Sequence, residues 1–212
     1  MKKTYSYWLL IFGGLLLQTA CFNGYTSWEK DVTVNQIDFE KLRYALDGKD
    51  TIAIIGYLKT PGLIEDYPCA ADWVHFTKDW KLELLRLNKS MVINNFEYSK
   101  DCWIRFKAKD HSVICVFPDD IIIQGYECRG GGGASGIQTG FYENGRLKYF
   151  YSHEDLQIGE VLCNGGVFSI IGLHQDGSLM ECTLARDATI NGKIYESGEH
   201  IYIDTDGIVK VL

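Results

Sequence analysis

Five segments of this chain share one register, and that repetition constrains the fold more than any other feature of the sequence. With Phe76, Phe106, Phe141, Leu173 and Ile203 as reference positions, successive segments lie 30, 35, 32 and 30 residues apart. Two residues before each reference stand Val74, Ile104, Thr139, Ile171 and Ile201. Side chains alternate along a strand with a period of two, so the two positions share one strand face. A turn follows in every segment: Lys78-Asp79, Lys109-Asp110, Asn144-Gly145, Asp176-Gly177 and Asp206-Gly207. Asn-Gly and Asp-Gly accept positive φ and are strong hairpin signals. The returning strand carries apolar residues six, nine and eleven positions past the reference. These are Leu82, Leu85 and Leu87, then Leu147 and Phe150, then Leu179, Cys182 and Leu184. In the second segment Val113 comes one position later, with Cys115 and Phe117 back in register, so that turn holds one extra residue. The fifth segment gives Val209 and Leu212. The step from six to nine breaks strict alternation and predicts a β-bulge.

The register runs further. Fourteen past the reference are Ser90, Asp120, Asp155 and Asp187; seventeen past, Ile93, Ile123, Ile158 and Ile190; twenty-two past, Tyr98, Cys128, Cys163 and Tyr195. Ile64 to Cys69 echoes Ile123 to Cys128, as the back half of an earlier copy whose middle is the strand-like run Thr51 to Leu58. Each unit therefore reads as a hairpin, a polar corner and a short third strand centred on the isoleucine. One unit cannot bury its apolar face alone, whereas stacked neighbours can. The expected fold is all-β: an elongated array of about five β-hairpin repeats of 30–35 residues, preceded by one short helix. That helix is placed around Asp38 to Leu46, where Phe39, Leu42 and Leu46 fall on one side and Asp38 and Gly48 can cap its ends. The expected layout is a signal peptide over 1–20, a lipidated Cys21 and tether over 21–36, an N-terminal cap over 37–63 and the array over 64–212.

Phe141-Tyr-Glu-Asn-Gly-Arg-Leu147 and Leu173-His-Gln-Asp-Gly-Ser-Leu179 share an apolar-x-x-Asn/Asp-Gly-x-Leu core. With it, residues 64–212 resemble MORN-type and YwqK-like repeats, including longer forms found in bacterial lipoproteins. The resemblance implies a scaffold or binding surface. Its YwqK-like side implies an antitoxin or immunity component as the alternative. It brings no catalytic residues.

The N-terminus has its own pattern. Lys2 and Lys3 precede an apolar run from Trp8 to Leu17, too short for a bilayer span but of the length of a signal-peptide core. Leu17-Gln-Thr-Ala-Cys21 follows and resembles the bacterial lipobox, with Cys21 as the acyl acceptor and leucine four residues ahead of it. Phe22, not Asp, comes next, which resembles the default signal for the outer membrane. The expected location is the cell envelope, held by a lipid anchor.

The chain carries 21 Lys and Arg against 28 Asp and Glu, a net −7, or −9 once Lys2 and Lys3 leave with a signal. An acidic chain without a basic cluster is a poor partner for nucleic acid. The expected partners are the membrane, through the anchor, and a protein. Apart from Cys21 there are six cysteines, 69, 102, 115, 128, 163 and 182. An even number in an exported chain is compatible with three disulfides, for which Cys115–Cys128, Cys163–Cys182 and Cys69–Cys102 leave no odd thiol. Buried, reduced thiols are the competing reading.

No catalytic, metal or cofactor site is expected. Arg129 to Gly136 contains G-x-G-x-x-G, but a strand follows it where a dinucleotide site needs a helix, so it reads as a flexible insertion. Histidines 75, 111, 153, 174 and 200 offer no i, i+2 or i, i+4 ligand pair, and His75 and His174, next to reference residues, should face the polar side. Asp204-Thr-Asp206-Gly207 reads as a hairpin turn in preference to a calcium loop. Asp120, Asp155 and Asp187 suit corners where a carboxylate accepts backbone N–H bonds. An envelope hydrolase, the remaining alternative, would need polar groups converging from different repeats.

Overall fold

The computed structural model describes residues 23–107 and 111–212. Cys21, the signal region and the Lys109-Asp110 turn lie outside the described residues.

The fold is all-β, built on a 14-stranded antiparallel sheet. Strands Asn23–Tyr25 and Glu29–Val34 both pair with Ile37–Asp47. From there the sheet meanders in chain order through Asp50–Leu58, Trp73–Thr77, Leu82–Arg86, Trp103–Phe106, Val113–Val116, Thr139–Phe141, Leu147–Phe150, Ile171–Leu173, Leu179–Thr183, His200–Ile203 and Val209–Val211. Twelve interstrand spacings make it roughly 60 Å across.

The bulge appears where the six-to-nine step places it. Phe76 faces Leu82 while His75 faces Leu84, and the same shift recurs at Phe141/Leu147 and Leu173/Leu179. Glu83, Lys148 and Met180 are the extra residues. In the second segment Phe106 faces Val113, so the longer turn replaces the bulge. The turns close with paired bonds, such as Gly177 N–H to His174 O and His174 N–H to Ser178 O. The fourth residue past the reference takes positive φ, as Gly145, Gly177 and Gly207 do. Trp80 holds that conformation in the first segment, at φ 61°, with its indole against Phe39 and Phe76.

Two expectations need correction. The helix over 38–46 is absent, and strand Ile37–Asp47 occupies it. Phe39 and Leu42 are both fully buried, three residues apart, because a bulge inserts Glu40: Phe39 faces Leu58 and Lys41 faces Tyr57. A bulged strand thus imitates helical spacing locally. Gly48 closes a hairpin turn, with Asp47 opposite Asp50. The third strand of each unit, moreover, does not stand alone. It pairs with a fourth strand in a short hairpin, Gly62–Ile64 with Tyr67–Cys69, Met91–Ile93 with Phe96–Tyr98, Ile121–Ile123 with Tyr126–Cys128, Leu156–Ile158 with Val161–Cys163, and Ala188–Ile190 with Lys193–Tyr195. Asn94-Asn95, Gln124-Gly125 and Asn191-Gly192 turn these hairpins with φ positive at both residues, the geometry that matches strand twist.

One core joins the two layers. Phe76, Ile104, Phe141 and Leu173 from the sheet meet Ile93, Ile123, Ile158, Tyr98, Cys128 and Cys163 from the short hairpins. The corners work as expected: Asp120, Asp155 and Asp187 accept the backbone N–H of Gly130, Gly165 and Ser197, each ten residues on, at 2.9, 2.9 and 2.8 Å. Each carboxylate ties the base of one short hairpin.

Candidate functional site

Alternation along the strands sends every second side chain away from this core. One register row on the outer face reads Arg43, Ile55, His75, Leu84, Arg105, Ile114, Gly140, Tyr149, Gly172, Glu181, Tyr202 and Lys210. None of these residues belongs to the main core. Arg43, His75 and Arg105 are half-buried and stand on every second strand.

Aromatic rings gather at the first end of this face. Lys41 Nζ lies 4.7 Å from the Trp73 ring centre, 5.4 Å from Tyr57 and 5.7 Å from Trp28. The Arg43 guanidinium lies 4.0 Å from Tyr25 and 4.3 Å from Trp28. Trp73 meets Tyr57 edge-on at 5.3 Å and Trp28 at 5.7 Å. A cation over a ring gains about 0.5–1 kcal/mol at an exposed site, so these contacts hold both cations in place without neutralising them. Neither Lys41, Arg43 nor Arg105 pairs with a carboxylate among the described residues. Arg86, on the same face, is engaged by Asp72 at 3.1 Å and Asp101 at 3.5 Å. Burial, then Arg105 and Arg43, hold the His75 imidazole below its ordinary value of 6.5.

Next along the face, Leu84, Trp103 and Val116 form a small second cluster, covered by Ala134. Ala134 belongs to a 3-10 turn, Gly133–Ser135, inside the glycine-rich segment. That segment folds back on itself, with Gly131 N–H bonded to Phe117 O and Ile137 N–H to Gly131 O. A Cβ on Gly136 would collide with Gly131 O, and one on Gly130 with Asp119 O. Gly130, Gly132 and Gly136 stand where backbone approaches closely, Gly131 and Gly133 take positive φ, and no helix follows to hold a phosphate.

The other residues singled out in the sequence are dispersed. His153 bonds Asp120 at 2.8 Å, His174 bonds the Ile203 carbonyl at 2.8 Å, and His200 meets Thr183 Oγ1 at 3.1 Å. His111 lines a groove of about 420 Å³ with Glu65, Glu83 and Glu143 but bonds none of them. No cluster of three or more His, Cys, Asp or Glu able to hold a metal occurs among the described residues. The Asp204 carboxylate accepts the N–H groups of Asp206 and Ile208 within its own hairpin turn.

All six described cysteines are reduced and fully buried. Cys163 sits against Cys182, and the hydrogen bond between the two thiols, with burial, drives the Cys163 thiol far above its ordinary value. Cys102 sits against Cys115, whose hydrogen bond lowers it. Cys69 and Cys128 each face a backbone carbonyl two residues back, and burial pushes both up to about 12.

The sequence reading did not single out the cation and ring cluster. Its trace is the position one before the reference, which carries His75 and Arg105. No family model, no curated protein and no solved structure matches the chain.

Proposed function

We propose that this chain is a lipid-anchored repeat protein of the cell envelope that works as a binding surface. Cys21 carries the anchor, and about five copies of one unit, a long hairpin and a short one, form the MORN-like array that follows. The observation that carries the binding reading is the asymmetry of the sheet. One face is sealed by the short hairpins, and the other presents Lys41, Arg43 and Arg105, free of carboxylates, among tryptophans and tyrosines. A chain of net −7 that keeps three cations without a carboxylate partner on one sheet face uses them for something outside itself. No described helix is long and apolar enough to cross a membrane.

Two measurements test this. Fatty-acid labelling of the wild type and of Cys21→Ala in the host is expected to give label only in the former; label in both removes the anchor. Reversing the face charges, Arg43→Glu with Arg105→Glu, is expected to abolish retention of the native partner from the membrane fraction, and unchanged retention removes the binding face.

A further inference from the structure

The short distance between the anchor and the sheet determines what the first end of the open face meets. Cys21 stands two residues before strand Asn23–Tyr25, which pairs with Ile37–Asp47 and sets Asn23 opposite Asp47. Two residues of fully extended chain span at most about 7 Å. An acyl group on Cys21 therefore has no long leash, and it holds this edge of the sheet at the headgroups of the bilayer. Arg43 and Lys41 lie on the paired strand, four and six residues before Asp47, or roughly 14 and 20 Å along it.

The side chains there have the composition of a membrane interface. Tyr25, Trp28, Tyr57 and Trp73 surround Lys41 and Arg43 on one side of the sheet. Tryptophan and tyrosine carry an apolar body and a polar tip, and they concentrate at headgroup depth, where long cationic side chains also reach. Tyr25 is 52% exposed, and the other three rings are half-buried. The rings seat the two cations without cancelling their charge. Asp72, beside Trp73 in the chain, is engaged by Arg86 at 3.1 Å. Positive charge is thus left outward at the anchored end. Farther along the face this pairing of rings and cations ends, and beyond Arg105 the row runs through Ile114, Gly140, Tyr149, Gly172 and Glu181. A soluble partner has no reason to favour the end nearest Cys21. A bilayer does, because the anchor keeps that end at its surface whatever the tilt of the sheet.

We propose that Tyr25, Trp28, Lys41, Arg43, Tyr57 and Trp73 form a docking patch that seats the first end of the open face on anionic phospholipid headgroups. This rests on the anchor at Cys21, and it deepens the reading of the open face as a binding surface by naming what its first end binds. Lys41 and Arg43 meet lipid phosphates, and the rings settle among the headgroups. Arg105, four strand spacings from Arg43, is left for a partner. The contact fixes the tilt of the array on the membrane, which a single acyl linkage cannot do.

The test uses the acylated protein purified from its host and reconstituted into vesicles of brominated phosphatidylcholine with phosphatidylglycerol. Flotation with the vesicles reads the anchor. Quenching of tryptophan fluorescence reads the patch, since bromine quenches only indoles close to it. Quenching is expected in the wild type, and it is expected to vanish with flotation intact in Trp28→Phe with Trp73→Phe. Lys41→Gln with Arg43→Gln is expected to weaken docking about tenfold or more, since each cation at an anionic surface is worth about fivefold. Vesicles without phosphatidylglycerol should weaken it for the wild type as well. Flotation without quenching, quenching that survives Trp28→Phe with Trp73→Phe, or indifference to the loss of both cations would overturn the patch and leave the anchor. Failure of the wild type to float would remove the anchor and the patch with it. If quenching fails while a native partner still depends on Arg43 and Arg105, the bilayer falls as the occupant and the binding face stands.

Discussion

Tyr98 offers the sharpest test of the core, because its removal is expected to stabilise. It is fully buried, packed at 4.9 Å from Phe96 and 5.3 Å from Phe141, and stacked on Phe117 at 6.3 Å. Its hydroxyl has no hydrogen-bond partner among the described residues. Burial, with Cys115 and Cys102 adding, drives the phenol far above its ordinary value of 10.0, so it stays neutral at any working pH. A buried hydroxyl without a partner costs roughly 1–3 kcal/mol. Tyr98→Phe removes that cost, keeps all three ring contacts and leaves only an atom-sized gap. The net expectation is a gain of about 1 kcal/mol, or a rise of about 2–4 °C in Tm for a chain of this length. Urea denaturation should show a higher midpoint at unchanged slope. Tyr195→Phe is the control: it occupies the same repeat position, but its hydroxyl is not a buried unpaired group, and no gain is expected. A loss of stability in Tyr98→Phe would mean that the hydroxyl is bonded and that the packing here is misjudged.

Other consequences follow from the same geometry. Gly165→Ala would set a Cβ 2.5 Å from Glu154 O and Gly130→Ala would drive one into Asp119 O, so each is expected to cost about 1–3 kcal/mol, read by thermal unfolding; Ser197→Ala, at the equivalent corner, should be mild. His75 makes stability fall with acid: its folded imidazole titrates below 6.5, so beneath that pH the unfolded chain binds more protons, and stability is full above it. His75→Gln should flatten this fall, measured as urea midpoints between about pH 7.5 and pH 5, and an unchanged slope would remove His75 as its source. Cysteine mapping under non-reducing conditions should return no cystine. Cys163 lies opposite Leu184, which makes Cys182 a diagonal neighbour, and Trp103 opposite Val116 makes Cys102 and Cys115 diagonal too. Diagonal Cα atoms stand about 7–8 Å apart, beyond ordinary disulfide reach; a Cys163–Cys182 cystine would contradict that register.

The sheet was legible in the sequence because its signals are local. Reference and minus-two residues alternate, Asn-Gly and Asp-Gly turn, and the extra residue of the bulge shows as a broken period. The fourth strand of each unit was harder to see, because it spans three residues and its turn is Gly-Gly or Asn-Gly in no unit but that of Asn191-Gly192. Trp80 hid its equivalence to Gly145 and Gly177, since its indole packing outweighs the strain of positive φ. Residues 38–46 misled because a bulge spaces Phe39 and Leu42 as a helix would. The face cluster was invisible for a different reason: Trp28, Lys41, Tyr57 and Trp73 come from four separate segments, and only cross-strand register brings them together.

The binding face is tested most directly by photo-crosslinking in the native host, with the reactive residue placed at Tyr57 or Ile114 on the open face, or at Glu97 or Glu127 on the short hairpins. Adducts at the first two positions, absent from the other two and lost with Arg43→Glu and Arg105→Glu, are the expected result. Adducts confined to Glu97 and Glu127 would place binding on the opposite layer and contradict the role assigned to the sheet.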